Sequence, residues 1–118
     1  MRYLEPQTAV LADWLETQGL IDMAEAFRSL SYKLDGSYLI RTATNYWVGK
    51  IVAFTPDWLI LEEASWIPDT GRFHLALRDG LEAQSSSEIE PVDGFVRVNH
   101  QFVVDVCEYN HPLPRKAK

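Results

Sequence analysis

Cysteine is nearly missing from this 118-residue chain. Cys107 stands alone, so no intramolecular disulfide can staple the fold and no cysteine pair can seat a metal. Histidine is scarce too. His74, His100 and His111 are scattered, with no pair at the short spacing that metal ligands need. No metal and no other cofactor is expected. Cations are few: 11 Lys and Arg against 17 Asp and Glu leave a net charge of −6. Nucleic-acid affinity rests on clustered Lys and Arg, so this balance argues against a broad phosphate-binding surface. The 6 glycines form no Gly-rich phosphate loop. No apolar run approaches a membrane span, and the opening MRYLEPQTAV lacks the apolar core of a signal peptide. A cytoplasmic protein without a membrane partner is expected.

What is present is apolar and aromatic. The apolar share is 47%, with 4 Trp, 5 Tyr and 5 Phe, enough for a real core in a chain of one-domain length. The chain reads in three parts. Residues 1–35 carry Val10, Leu11, Trp14 and Leu15 at helical spacing, then Ala24, Phe27, Leu30 and Leu34 on a second stripe, with Gly19 between them. This predicts an N-terminal helical hairpin, with helices near 7–18 and 22–34. Its second helix mixes Asp22, Glu25, Arg28 and Lys33, so it offers no basic face for reading DNA. Residues 36–110 alternate as strands near 38–44, 46–54, 58–64, 87–92, 95–98 and 102–109, with a short helix near 72–79. Asp93-Gly94 reads as a hairpin turn, and Gly49 as a bend within its strand. Residues 111–118, HPLPRKAK, read as a basic, proline-containing tail in solvent.

The expected fold class is α+β: a small antiparallel β-barrel with the helical hairpin ahead of it and a short helix inserted between strands. The run YLIRTATNYWVGKIVAFTPDWLILEEA resembles the first three strands of an Sm-like barrel, and DGFVRVNHQFVVDVC resembles its later pair. The base-binding Asn of the first Sm motif is replaced by Asp57-Trp58-Leu59, and the second motif by Asn99-His100. The resemblance therefore implies the barrel without the RNA-binding role. Residues 40 to 114 also resemble a family of small uncharacterised domains of bacteriophages and bacterial genomes. The residues that carry it are Arg41-Thr42-Ala43-Thr44, Trp66-Ile67, Asp69-Thr70-Gly71-Arg72-Phe73, Glu90-Pro91 and Leu113-Pro114. That resemblance implies a phage or prophage setting and no established activity.

Enzyme chemistry finds little support. Ser65, Asp69 and His74 are close in sequence, but no strand-turn-helix elbow surrounds the serine. Glu62 and Glu63 alternate across a strand and face opposite ways. No catalytic residue is assigned. The one candidate ligand site is the polar knot Asp69-Thr70-Gly71-Arg72 at the start of the short helix. There Arg72 and Arg41 would clamp a phosphate while Trp47 or Trp66 stacks on a base. The competing interpretation makes Asp69 or Thr70 a helix cap and Arg72 an ion-pair partner. The expected function is that of a non-enzymatic, phage-type protein-interaction module that modulates a host. It would work as a homo-oligomer, a ring under the Sm-like resemblance, with a host or phage protein as partner. One alternative is a small-ligand binder holding a nucleotide-like anion. The other is a nucleic-acid-binding Sm-like protein, which the charge disfavours.

Overall fold

The computed structural model describes residues 32–118. Six antiparallel strands form one sheet: β1 (Gly36–Thr42), β2 (Tyr46–Phe54), β3 (Trp58–Asp69), β4 (Glu88–Pro91), β5 (Val96–Asn99) and β6 (Val103–Glu108). One helix, α1 (Phe73–Asp79), lies between β3 and β4, and short 3-10 turns cover Leu81–Ala83 and His100–Phe102. The order across the sheet is β4-β3-β2-β1-β6, with β5 also paired to β3.

The expected small Sm-like barrel is corrected here, because the sheet is open. β5 pairs only with β3 and β6 only with β1. The 3-10 turn His100–Phe102 carries the chain from one side to the other without a ladder between those two strands. The expected helical hairpin lies on residues outside the described ones, apart from its last few positions. Residues 32–34 are described, and they are not helical. The expected Asp93-Gly94 hairpin is not one either. β2 occupies one edge of β3, so β4 and β5 share the other edge, end to end. Asp93-Gly94 is the interruption between two pieces of one edge strand.

Both faces of the sheet are covered with apolar side chains. On one face Leu34, Tyr38, Ile40, Ile51, Phe54, Leu59, Leu61 and Val98 form a core, joined by Tyr32 and Trp47. On the other, Leu39, Val48 and Ile67 pack against Ala76 of α1 and against Leu81, Ile89 and Tyr109. The alternation of neighbours such as Leu39 and Ile40 feeds both cores. Each fully buried Leu or Ile contributes about 1.5–3 kcal/mol as an upper estimate. Gly49 is where the sheet needs glycine: a Cβ there would sit 3.2 Å from the Ala64 Cα on β3.

β3 runs further than its sequence suggests. The strand expected near 58–64 continues through Trp66-Ile67-Pro68 to Asp69. Pro68 lies beyond the end of the β2 ladder, and the β3–β4 register shifts between Trp66 and Asp69, where the missing proline N–H is tolerated. The terminal segment is likewise not free in solvent. Pro114 is fully buried, and its carbonyl accepts the Ser65 hydroxyl at 3.0 Å. Arg115 donates to the carbonyls of Ala64 and Val92, and Lys118 exchanges two backbone hydrogen bonds with Ile89. Proline cannot form a helix interior here, but the extended backbone it favours fits along the sheet edge.

Candidate functional site

The polar knot is built on backbone hydrogen bonds. Gly71 takes a left-handed φ of 69°, which glycine adopts without a steric penalty. The Asp69 carboxylate accepts from the Gly71 N–H at 2.8 Å, and the Thr70 hydroxyl donates to the Gly71 carbonyl at 2.9 Å. Arg72 is the residue at the cap position of α1, and its side chain caps nothing. The cap comes from Gln84 instead. Its Oε1 accepts the Arg72 N–H at 2.9 Å, and its Nε2 donates to the carbonyls of Thr70 and Arg72 at 2.9 and 3.1 Å. Nothing in the local sequence signals that a residue twelve positions on completes the cap.

The remaining candidate residues divide between the two faces. Trp47 and Trp66 stand directly opposite each other across β2 and β3, on the face of Ile40. Arg41 pairs in register with Tyr46, one residue out of phase with Trp47, and so points to the other face. There its guanidinium binds the Asp105 carboxylate on β6, with Nε donating at 3.0 Å. That hydrogen bond, with the attraction to Asp105, raises the Arg41 pKa above its ordinary value. Arg72 precedes Phe73, whose ring lies 5.8 Å from that of Tyr46, which places the knot on the Arg41 side. The two arginines and the two tryptophans therefore do not line one pocket. The Arg72 guanidinium is exposed and makes no hydrogen bond or ion pair among the described residues.

Several groups of the kind used in catalysis are committed to structural contacts. Ser65 is fully buried. His111 Nε2 binds the Leu77 carbonyl at 2.8 Å. His100 Nδ1 binds the Thr55 carbonyl at 3.0 Å, which makes it the protonated nitrogen, so Nε2 accepts from the Tyr32 hydroxyl at 2.7 Å. Burial, reinforced by Asp105, pushes the Cys107 thiol above its ordinary pKa, away from the thiolate form. Among the described residues, no three His, Cys, Asp or Glu side chains converge in a way that could hold a metal ion.

What the geometry does present is an edge. β6 ends the sheet, with β1 on one side and no strand on the other among the described residues. The register with β1 shifts at Thr42, where Val103 and Asp105 are successive partners and Val104 is the extra residue. This bulge leaves Val104 56% exposed, beside Phe102 at 61%. The sequence pattern marks the strand and its apolar residues. It carries no signal for the bulge, which depends on pairing with β1. At the far side of the sheet, Lys118 occupies the outer edge of β4 at Ile89.

No protein-family model matches this chain, and neither curated proteins nor solved structures give a match.

Proposed function

We propose that this chain is a non-enzymatic protein-interaction module of phage type, and that it self-associates through the β6 edge. The observation that carries the reading is the outer edge of strand Val103–Glu108, which has no partner among the described residues, with Phe102 and Val104 exposed beside it. An open edge offers a row of backbone donors and acceptors to another strand, and apolar flanks add burial to that pairing. Electrostatics opposes a second copy less at the middle of this edge than elsewhere, although Glu108 at its end is an exposed carboxylate. A chain of net charge −6 repels itself, but at this edge Arg41 and Asp105 neutralise each other. A two-fold contact of β6 with β6 uses the same patch on both copies. A ring would need a second edge of comparable length, and β5 supplies only four residues.

The test is the mass of the purified protein by light scattering over a wide concentration range, for the wild type and for Val104→Lys. A lysine on an edge strand opposes pairing without loading the core. The wild type is expected to give two subunits, and the variant one, with an unchanged far-ultraviolet circular dichroism spectrum and a thermal midpoint that no longer depends on protein concentration. A monomeric wild type, or a variant that associates equally well, overturns the reading.

A further inference from the structure

A groove lies away from the β6 edge, on the outer side of β2, β3 and β5. Its larger part has a volume of about 410 Å³, with Val52, Ala53 and Ile60 in its wall and Glu62, Phe95 and Arg97 at its rim. A smaller part of about 210 Å³ continues past Phe95 to Glu63, Asp93 and Arg115. Glu62 and Phe95 line both parts, so Phe95 stands as the ridge between them. Phe95 is 69% exposed, the highest value among the exposed large apolar residues.

The backbone is distorted where Phe95 projects. Val92 still bonds to the Ala64 carbonyl, but the ladder resumes only at Val96 opposite Leu61. Across the gap Glu63 holds a left-handed φ of 52° and Gly94 one of 81°. A left-handed non-glycine residue is strained and persists only where its surroundings hold it. Burial does not compensate here, since Phe95 is left in solvent.

The charges around the ridge select its occupant. Glu62 and Asp93 are exposed carboxylates with no ion pair or hydrogen bond among the described residues; Arg97 is exposed and unpaired too, but it lines only the larger part of the groove, whereas Asp93 lines only the smaller. Glu63 lies 3.5 Å from Lys50. Arg115 is turned onto the carbonyls of Ala64 and Val92, at 3.1 and 3.2 Å, where it braces the gap. An exposed aromatic face with unpaired carboxylates on either side suits a guanidinium: the ring attracts the cation and the carboxylates accept its N–H groups. The apolar wall beside it suits a neighbouring aliphatic side chain.

We propose that this groove binds an arginine-bearing segment of a partner protein, with the guanidinium on Phe95 between Glu62 and Asp93, and an adjacent apolar side chain against Val52 and Ile60. A second copy of this chain is a poor occupant, because its net charge of −6 would meet the groove's own unpaired carboxylates. The site is separate from the β6 edge, and neither proposal depends on the other.

The probe is an acetylated and amidated peptide alternating arginine and leucine, compared with the same peptide carrying citrulline, its neutral isostere, in place of arginine. Binding is followed by fluorescence anisotropy, and the site is located by NMR shift changes over residues 92–97. The arginine peptide is expected to bind with shifts centred on Phe95, and the citrulline peptide to bind about tenfold or more weaker. Phe95→Ala should weaken arginine-peptide binding by about tenfold. The double variant Glu62→Gln with Asp93→Asn should abolish the preference for arginine. These positions are exposed, so an unchanged far-ultraviolet circular dichroism spectrum is expected of each variant and checks that folding is intact. Equal binding of the two peptides, shifts located elsewhere, or full binding by Phe95→Ala overturns the proposal. So does a fall in subunit number on Phe95→Ala, which would make the groove a contact between copies.

Discussion

Tyr109→Phe removes one oxygen atom from the second core, and its consequence can be worked through. The Tyr109 side chain is 2% exposed, and its hydroxyl accepts the Leu81 N–H at 2.9 Å. Leu81 opens a 3-10 turn, so its N–H has no partner within that turn. Phenylalanine keeps the ring and nearly the same volume, which limits repacking. The N–H is left buried and unpaired, at a cost of about 1–3 kcal/mol. In a urea titration with a slope of about 1–3 kcal/mol/M, the midpoint should fall by roughly 1 M with the slope unchanged. Tyr46→Phe is the control, since the Tyr46 hydroxyl has no hydrogen bond among the described residues. A Tyr109→Phe midpoint no lower than that of Tyr46→Phe would refute the reasoning. The same variant has a pH signature. Burial raises the Tyr109 phenol above its ordinary pKa, outweighing the opposing pull of the Leu81 bond. Tyr32 is raised as well, by burial and then by Tyr38. Above about pH 10 the unfolded chain loses these protons before the folded one does. The folded state then binds more protons, so stability falls as pH rises through that range. Tyr109→Phe should remove part of this alkaline loss and leave the share due to Tyr32.

Two further outcomes test the knot and the docked terminus. Gly71→Ala places a Cβ at a φ of 69° and 2.7 Å from Gln84 Oε1, so it should destabilise by about 1–3 kcal/mol in a urea titration. Gln84→Ala should cost a comparable amount, and the two should combine to less than their sum because both break one network. Truncation after Asn110 removes buried Pro114 and leaves the Ser65 hydroxyl without its acceptor. It should lower stability by at least about 2 kcal/mol by the same titration; an unchanged midpoint would show that the segment contributes nothing to the fold.

Much of the strand content was legible because period-two alternation survives in short segments. Tyr46–Phe54 forms the strand its pattern predicts, and α1 falls at Phe73–Asp79, within the helix expected near 72–79. The misreadings share a cause, since each local signal was overridden by a distant partner. Asp93-Gly94 has hairpin chemistry, but β3 is long enough to pair with strands on both sides of it. Pro68 looks like a strand breaker, yet it lies past the end of the β2 ladder, where its missing N–H is tolerated. The tail HPLPRKAK reads as solvated until Ser65, Ala64, Val92 and Ile89 are seen to supply its partners. Arg41 and Trp47 seemed able to share a pocket, but the register sends them to opposite faces. The groove residues Glu62, Phe95 and Arg97 carry no motif, since they meet only through the pairing of β5 with β3.

In the described part of the chain, many polar side chains serve the backbone. Several side chains that could act as nucleophile or base are bound to backbone groups, whereas Arg72, His74, Glu62 and Asp93 are not. Ser65 holds Pro114, His111 holds Leu77, His100 holds Thr55, Gln84 holds the 70–72 loop, and Arg115 braces the gap before Phe95. Such bonds satisfy carbonyls and N–H groups that no strand or helix ladder reaches. They also remove those side chains from reactive use, because a catalytic group must be free to meet a substrate atom. The surface retains what binding needs instead. Phe95, Phe102 and Val104 are left to solvent at two separate places. Each lies at an irregularity of the sheet, Phe95 at the gap between β4 and β5 and Val104 at the bulge in β6. An uninterrupted ladder would have directed alternate side chains toward the cores. The interruptions turn apolar side chains outward, and they do so beside a neutralised ion pair at one site and unpaired carboxylates at the other. Two sites of different electrostatic character suit two different partners under the two proposals, a second copy at the first and a cationic segment at the second.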